Sequence, residues 1–256
     1  MLENLLPFLV VCPAAFLAGA IDAMAGGGGL ITLPVYMLAG LPVHNAIATN
    51  KISSFMGTSI ATWEFFKLGY INVRKAAWCI VAALTGSALG ARLALAINDH
   101  IFRVLMLFIL PFVAFYVIRN KNFDHPNKPF SERRTQLLST AFAFLVGIYD
   151  GFYGPGTGTF LLLLLTGAAR LSLQEANGLT KAINWTTNLA ALTVFALSGK
   201  TLWSLGLTAG LFNIAGNHLG VKLFTKGGAS FVRPAILLVL AIFMVKITTD
   251  LLAINN

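Results

Sequence analysis

Apolar residues run through this chain in long blocks, divided by glycine clusters, prolines and short basic stretches. Five blocks fall in each half: about 5–24, 29–41, 46–68, 75–97 and 101–119, then 136–152, 157–169, 178–198, 202–223 and 232–252. Several reach about 20 residues, the length a helix needs to cross the hydrocarbon core of a bilayer. The second block of each half is shorter, so it makes either a thin span or a re-entrant half-helix; as a helix it covers roughly 20 Å.

The halves are copies. Asp22 answers to Asp150 and Gly26 to Gly154, an offset of 128. After a short gap the offset becomes 130 and aligns Lys51 with Lys181, Phe65 with Phe195, Gly69 with Gly199, Gly86 and Gly90 with Gly216 and Gly220, and Arg103 with Arg233. The expected organisation is a first repeat over 1–120, a basic linker over 121–134, and a second repeat over 135–256.

Each copy breaks its apolar run in the same place. Gly19-Ala20-Ile21-Asp22 precedes Gly26-Gly27-Gly28-Gly29, and Gly147-Ile148-Tyr149-Asp150 precedes Gly154-Pro155-Gly156-Thr157-Gly158. Such runs are poor helix, and lipid tolerates loose backbone only where protein or a water-filled cavity covers it. A broken apolar segment that occurs twice points to a binding site between repeats. Close helix packing is the competing explanation, since small residues let backbones approach.

Composition agrees with a membrane protein. The chain is 57% hydrophobic and 11% charged, against about 25% charged in soluble domains. The net charge of +9 does not call for nucleic acid, because the basic residues lie between apolar blocks, where topology accounts for them. With five crossings per half and the amino terminus outside, thirteen of the eighteen Lys and Arg fall inside. Five crossings invert the second repeat; four, with the amino terminus inside, would make the halves parallel and put Lys222, Lys226 and Arg233 outside, a much weaker bias. The expectation is therefore an all-α, polytopic transmembrane helical bundle of two inverted-topology repeats with glycine-broken or re-entrant helices, multi-pass in a cell inner membrane. Met1-Leu2-Glu3 lacks the positive start of a signal peptide, and 5–24 reads as a structural span. Cys12 and Cys79 read as inert core thiols, the scattered histidines make no metal motif, and no cofactor is expected.

Two helical faces carry the candidate chemistry. Lys51, Ser54 and Thr58 fall at i, i+3 and i+7, and Lys181, Asn184 and Asn188 repeat that face. Both lysines are expected near a helix start, where the dipole opposes them, so each calls for a partner. A cation above two hydrogen-bonding groups suits a small oxyanion; headgroup snorkelling and interhelical bonding remain the plainer alternatives. The backbone of Gly28, Gly29, Gly156 and Thr157 offers N–H groups that favour an anion at a helix start. Asp22 and Asp150 either cap the glycine loops or couple transport to a proton or cation. Glu64 is expected to pair with Lys67 at i, i+3. Gly86-x-x-x-Gly90 and Gly216-x-x-x-Gly220 read as helix-packing motifs.

Gly19-Ala20-Ile21-Asp22 with Ala25 to Pro34, then Ala48-Thr49-Asn50-Lys51, resembles the TauE/SafE sulfite exporter family, within the 4-toluene sulfonate uptake permease-like transporters. So does Gly151 to Gly158 with Thr180-Lys181-Ala182-Ile183-Asn184. The resemblance covers nearly the whole chain. It implies an inner-membrane permease of two homologous halves for sulfite, sulfoacetate or related sulfur-containing anions.

The expected function is a secondary transporter exporting a small sulfur-containing oxyanion by alternating access, coupled to an ion gradient, with that anion and the lipid bilayer as partners and homodimerisation left open. A membrane enzyme would need a cluster such as His-Glu-x-x-His, and none occurs. An anion channel, or an assembly factor that moves no solute, stays as the second class.

Overall fold

The computed structural model describes residues 2–98 and 130–227, with scattered positions from 230 to 245. The fifth apolar block of the first half, most of that of the second, most of the basic linker, and Arg103, Arg233, His100 and His125 lie outside the described residues. Those residues that are described form eight helices and no strands.

Helix α1 covers Leu2–Ala25, α2 Gly29–Leu38, α3 Val43–Lys67 and α4 Val73–Ala96. Helix α5 covers Glu132–Phe152, α6 Thr157–Leu163 with a π-helical continuation over Leu164–Ala168, α7 Leu173–Leu197 and α8 Trp203–Gly227. The helix starts have local causes. The Asn72 side chain accepts from the Lys75 N–H at 3.2 Å and caps α4. Ser172 and Glu175 form a capping box at the head of α7. Helix α1 stops where Gly26 and Gly27 take φ of 71° and 100°; α5 gives way to Gly154 at 100° and Gly156 at 82°, conformations that cost other residues energy. Helix α2 has ten residues, roughly 15 Å of rise, about half of a bilayer core.

Apolar surface and polar core are arranged as lipid requires. Helix α4 turns Trp78, Val81, Leu84, Leu89 and Leu93 outward and packs its small residues, among them Ala83, Gly86, Ser87 and Gly90, inward. Leu9 is 69% exposed and Leu211 62%. The interior, by contrast, buries Thr49, Asn50, Lys51, Asp150, Thr180, Lys181 and Asn188. Trp63, Trp78 and Trp203 are exposed near helix ends, where amphipathic rings sit at a membrane interface.

The packing crosses between the two sequence halves. Helix α4 lies along α5, α1 along α8, and α3 and α7 pack on each other and on α8 and α4 respectively. Glycine permits this closeness. A Cβ on Gly90 would lie 2.0 Å from the Ile148 carbonyl oxygen, and one on Gly216 2.0 Å from that of Phe16. The paired glycines are thus contact points between backbones.

Three local expectations change. Helices α3 and α7 begin at Val43 and Leu173, so Lys51 and Lys181 sit about 12 Å inside their helices, not at the starts. The dipole therefore does not decide their environment; burial does. Glu64 contacts His218 across the helix interface, since it continues the Gly57 and Ala61 face that meets α8, while Lys67 stacks over the Trp63 ring at 4.8 Å. Helix α5 starts at Glu132, inside the stretch expected to be linker.

Candidate functional site

The two glycine breaks meet at the centre of the described structure. A Cβ on Gly26 would come within 2.1 Å of the Gly158 carbonyl carbon, so neither loop tolerates a side chain at the contact. Thr159 Oγ1 donates to the carbonyls of Ala25 and Gly26 at 2.9 and 3.0 Å. Asn177 Nδ2 donates to those of Ala23 and Met24 at 3.1 and 3.3 Å. Backbone acceptors left over where α1 ends are therefore satisfied by side chains from α6 and α7.

Each lysine reaches across to the aspartate of the other half. Lys51 Nζ lies 2.7 Å from Asp150 Oδ2 and donates to Asn188 Oδ1 at 3.2 Å. Lys181 Nζ lies 3.2 Å from Asp22 Oδ2 and also donates to the Asp22 backbone carbonyl. The lysine side chains are 2% and 0% exposed. A buried ammonium is costly unless paired and hydrogen-bonded, which is why both carboxylates sit where they do. Asp22 has a second role: its Oδ1 accepts from the Gly28 N–H at 3.3 Å, so it also holds the glycine loop.

Between the breaks lies a cavity of about 450 Å³, counting its open mouth. Of the candidate residues, Lys51, Ser54, Thr58, Asn184, Asn188, Gly28, Gly29, Gly156 and Thr157 line it, together with Asp22 and Asp150. Lys181 does not; it is sealed behind Asp22. The lining is polar for a specific reason: Lys51, Ser54 and Thr58 of α3 and Asn184 and Asn188 of α7 turn toward the glycine breaks. Asn184 Oδ1 is buried with no hydrogen-bond partner among the described residues. Such a group calls for a ligand or water.

Some expected donors are already engaged. The Gly28 N–H goes to Asp22 and the Thr157 N–H to the Gly154 carbonyl at 3.2 Å. Thr58 Oγ1 donates back to the Ser54 carbonyl at 2.7 Å, so toward a ligand it presents lone pairs only. Two further asparagines line the cavity, and the sequence offers Asn213, which shares a face with Asn217, for either the pathway or interhelical bonding. One is Asn50, whose Oδ1 accepts from Thr32 Oγ1 at 2.7 Å. It does leave a signal: Asn50, Ser54 and Thr58 follow each other at four-residue spacing, the stripe of one helical face. The other is Asn213, which lines the cavity from α8.

Comparison with known proteins adds an independent line. The family described as "Sulfite exporter TauE/SafE" matches residues 11–247. "Probable membrane transporter protein ORF9" of Sinorhizobium sp is 32% identical over 248 residues, covering 96% of this chain and 94% of its own. A "Probable membrane transporter protein" of Haemophilus influenzae is 32% identical over 239 residues, 92% of each chain. "Probable membrane transporter protein YfcA" of Escherichia coli K12 is 31% identical over 240 residues, 92% of this chain and 87% of its own. No solved structure matches the chain.

Proposed function

Since the chain belongs to the sulfite exporter TauE/SafE family, a family of membrane transporters and not of enzymes, we propose that it is a secondary transporter exporting a small sulfur-containing oxyanion, sulfite or an organosulfonate. One observation carries the reading of the site: Lys51, a buried cation, opens onto a polar cavity between two glycine breaks. Lys51 supplies charge. Asn188 and Asn184 offer amide N–H groups and Ser54 a hydroxyl, Thr58 shapes the wall with its hydroxyl proton already engaged, and the loop backbone at Gly28, Gly29, Gly156 and Thr157 frames the anion. Lys181 contributes by holding Asp22 and through it the first loop.

The transport cycle proposed is alternating access between inverted repeats in a multi-pass inner-membrane protein, with α2 and α6 as thin spans that keep five crossings in each half. Supporting it is the crossed packing, in which α1 sits on α8 and α4 on α5. One repeat can then rock against the other about the site where the breaks meet. Uptake of radiolabelled sulfite into liposomes holding the purified protein tests the reading, with sulfate, taurine and sulfoacetate as competitors. Saturable uptake, suppressed by the preferred competitor and lost in Lys51→Ala, is expected. Conductance without saturation would mean a channel, and no solute movement at all would favour an assembly role.

A further inference from the structure

The chamber holds an internal counter-ion that an entering anion must displace. Among the described residues, the charged groups in and behind it sum to zero: Lys51 with Asp150 and Lys181 with Asp22. An anion placed beside Lys51 competes with Asp150 for the same ammonium and leaves one negative charge in excess in a buried site. A proton on Asp150 removes both obstacles at once. We propose, building on the transport reading above, that Asp150 is the proton carrier and that each monoanion crosses with one proton in the same direction.

The two carboxylates are not interchangeable in this respect. Protonating Asp22 would release Lys181, but that ammonium does not open onto the cavity and keeps the Asp22 backbone carbonyl as an acceptor. Asp22 is also tied to the loop through the Gly28 N–H. Protonating Asp150 frees the one lysine that lines the cavity, with Asn188 still in place to orient it. Among the described residues, the titratable groups around Asp150 are few. Lys51 faces it from α3, and Asp22 and Lys181 lie across the cavity on α1 and α7. On its own helix Tyr149 has its hydroxyl on the Pro155 carbonyl at 2.5 Å, and Tyr153 follows in the loop. Helix α4 brings only small residues such as Ser87 and Gly90 against α5 there, α6 brings Thr157, and α7 brings Asn184 and Asn188.

The step is a simple exchange. Water at the open mouth delivers a proton to an Asp150 oxygen; Lys51 stays an ammonium and turns its freed N–H to the anion. On the far side the anion leaves, the proton returns to water, and the Lys51–Asp150 pair re-forms. Net charge moved is zero, so direction follows the combined gradient of proton and anion, and export proceeds while the anion accumulates inside.

Liposomes holding the full chain decide it, with radiolabelled sulfite as probe. Wild-type protein should show sulfite counterflow, concentrate sulfite several-fold when the outside is acidified, and ignore a potassium–valinomycin potential. Asp150→Asn should keep measurable counterflow, yet its accumulation ratio under the same pH gradient should fall to one. Accumulation that follows the potential, or that survives in Asp150→Asn, would overturn the coupling and leave the transport reading standing. Absence of wild-type counterflow would remove both. If Asp150→Asn does not fold, the wild-type protein alone decides: indifference to the potential supports the coupling, and a response to it overturns the coupling.

Discussion

The two halves solve one packing problem with opposite sizes. On α4, Ala83 and Ser87 are buried, and the Ser87 hydroxyl donates to the Thr187 carbonyl of α7 at 2.7 Å. At the matching positions α8 carries Asn213 and Asn217, and there α3 has Gly57 where α7 has Thr187. A Cβ on Gly57 would lie 1.8 Å from Asn213 Oδ1 and 2.4 Å from Asn217 Nδ2. The amides on one side occupy room that a missing side chain leaves on the other. Duplicated sequence thus keeps the backbone approach while each copy fills it differently. The ion pairs diverge in the same way: both members of Lys51–Asp150 line the cavity, whereas only Asp22 of the second pair does. A duplicated motif need not have duplicated work, since the chamber has one interior and only one of the two lysines faces it.

The largest effects should come from the two buried ion pairs. Lys181→Ala leaves Asp22 without its ammonium and should cost about 3–5 kcal/mol of stability, read as a lowered melting temperature in detergent. Lys51→Ala leaves the more deeply buried carboxylate, Asp150, without its ammonium and should cost as much, and of the two variants only it should also abolish anion binding; intact binding in Lys51→Ala would erase the contrast. Next comes the size reversal. Gly57→Thr alone should destabilise by about 1–3 kcal/mol through overpacking, and adding Asn213→Ala with Asn217→Ser, which copies the first half, should restore most of the loss. A triple variant no more stable than the single one would show that the two interfaces are not exchangeable. Within the cavity, Asn188→Ala should weaken sulfite exchange by about 1 kcal/mol, the scale of one hydrogen bond. Thr58→Val should change it less, because that hydroxyl proton already serves the Ser54 carbonyl; matched isotherms of the two variants test the order. Smallest is Glu64→Gln. Its contact with half-exposed His218 should be worth about 0–1 kcal/mol, measurable as a slight melting shift with transport intact.

Much of the site is legible in the sequence because it is periodic. Lys51, Ser54 and Thr58, and Lys181, Asn184 and Asn188, lie at helical spacing in an apolar background, and that spacing alone puts each trio on one face. Asn50 is harder to pick out because the charge next to it, Lys51, sets the register to which the eye is drawn. The true helix starts are marked by Pro42 and Ser172, but the polar residues just after them look like loop, so the pattern places both starts several residues late. Sequence alone gives Glu64 the wrong partner because i, i+3 geometry is local and the helix that supplies His218 is distant along the chain.

What the sequence determined by itself is what depends on neighbours along the chain: apolar helices of membrane length, the two places where glycine ends them, and the polar stripe beside each break. Helical period, intrinsic propensity and the cost of polar groups in lipid act locally, so they can be read without coordinates. Only the tertiary structure decided that Lys51 takes Asp150 and Lys181 takes Asp22, that the breaks touch at Gly26 and Gly158, and that a single lysine of the two opens onto the cavity. Those outcomes join residues roughly a hundred positions or more apart. They turn on the relative depth of helices in the packed bundle, which local sequence does not set.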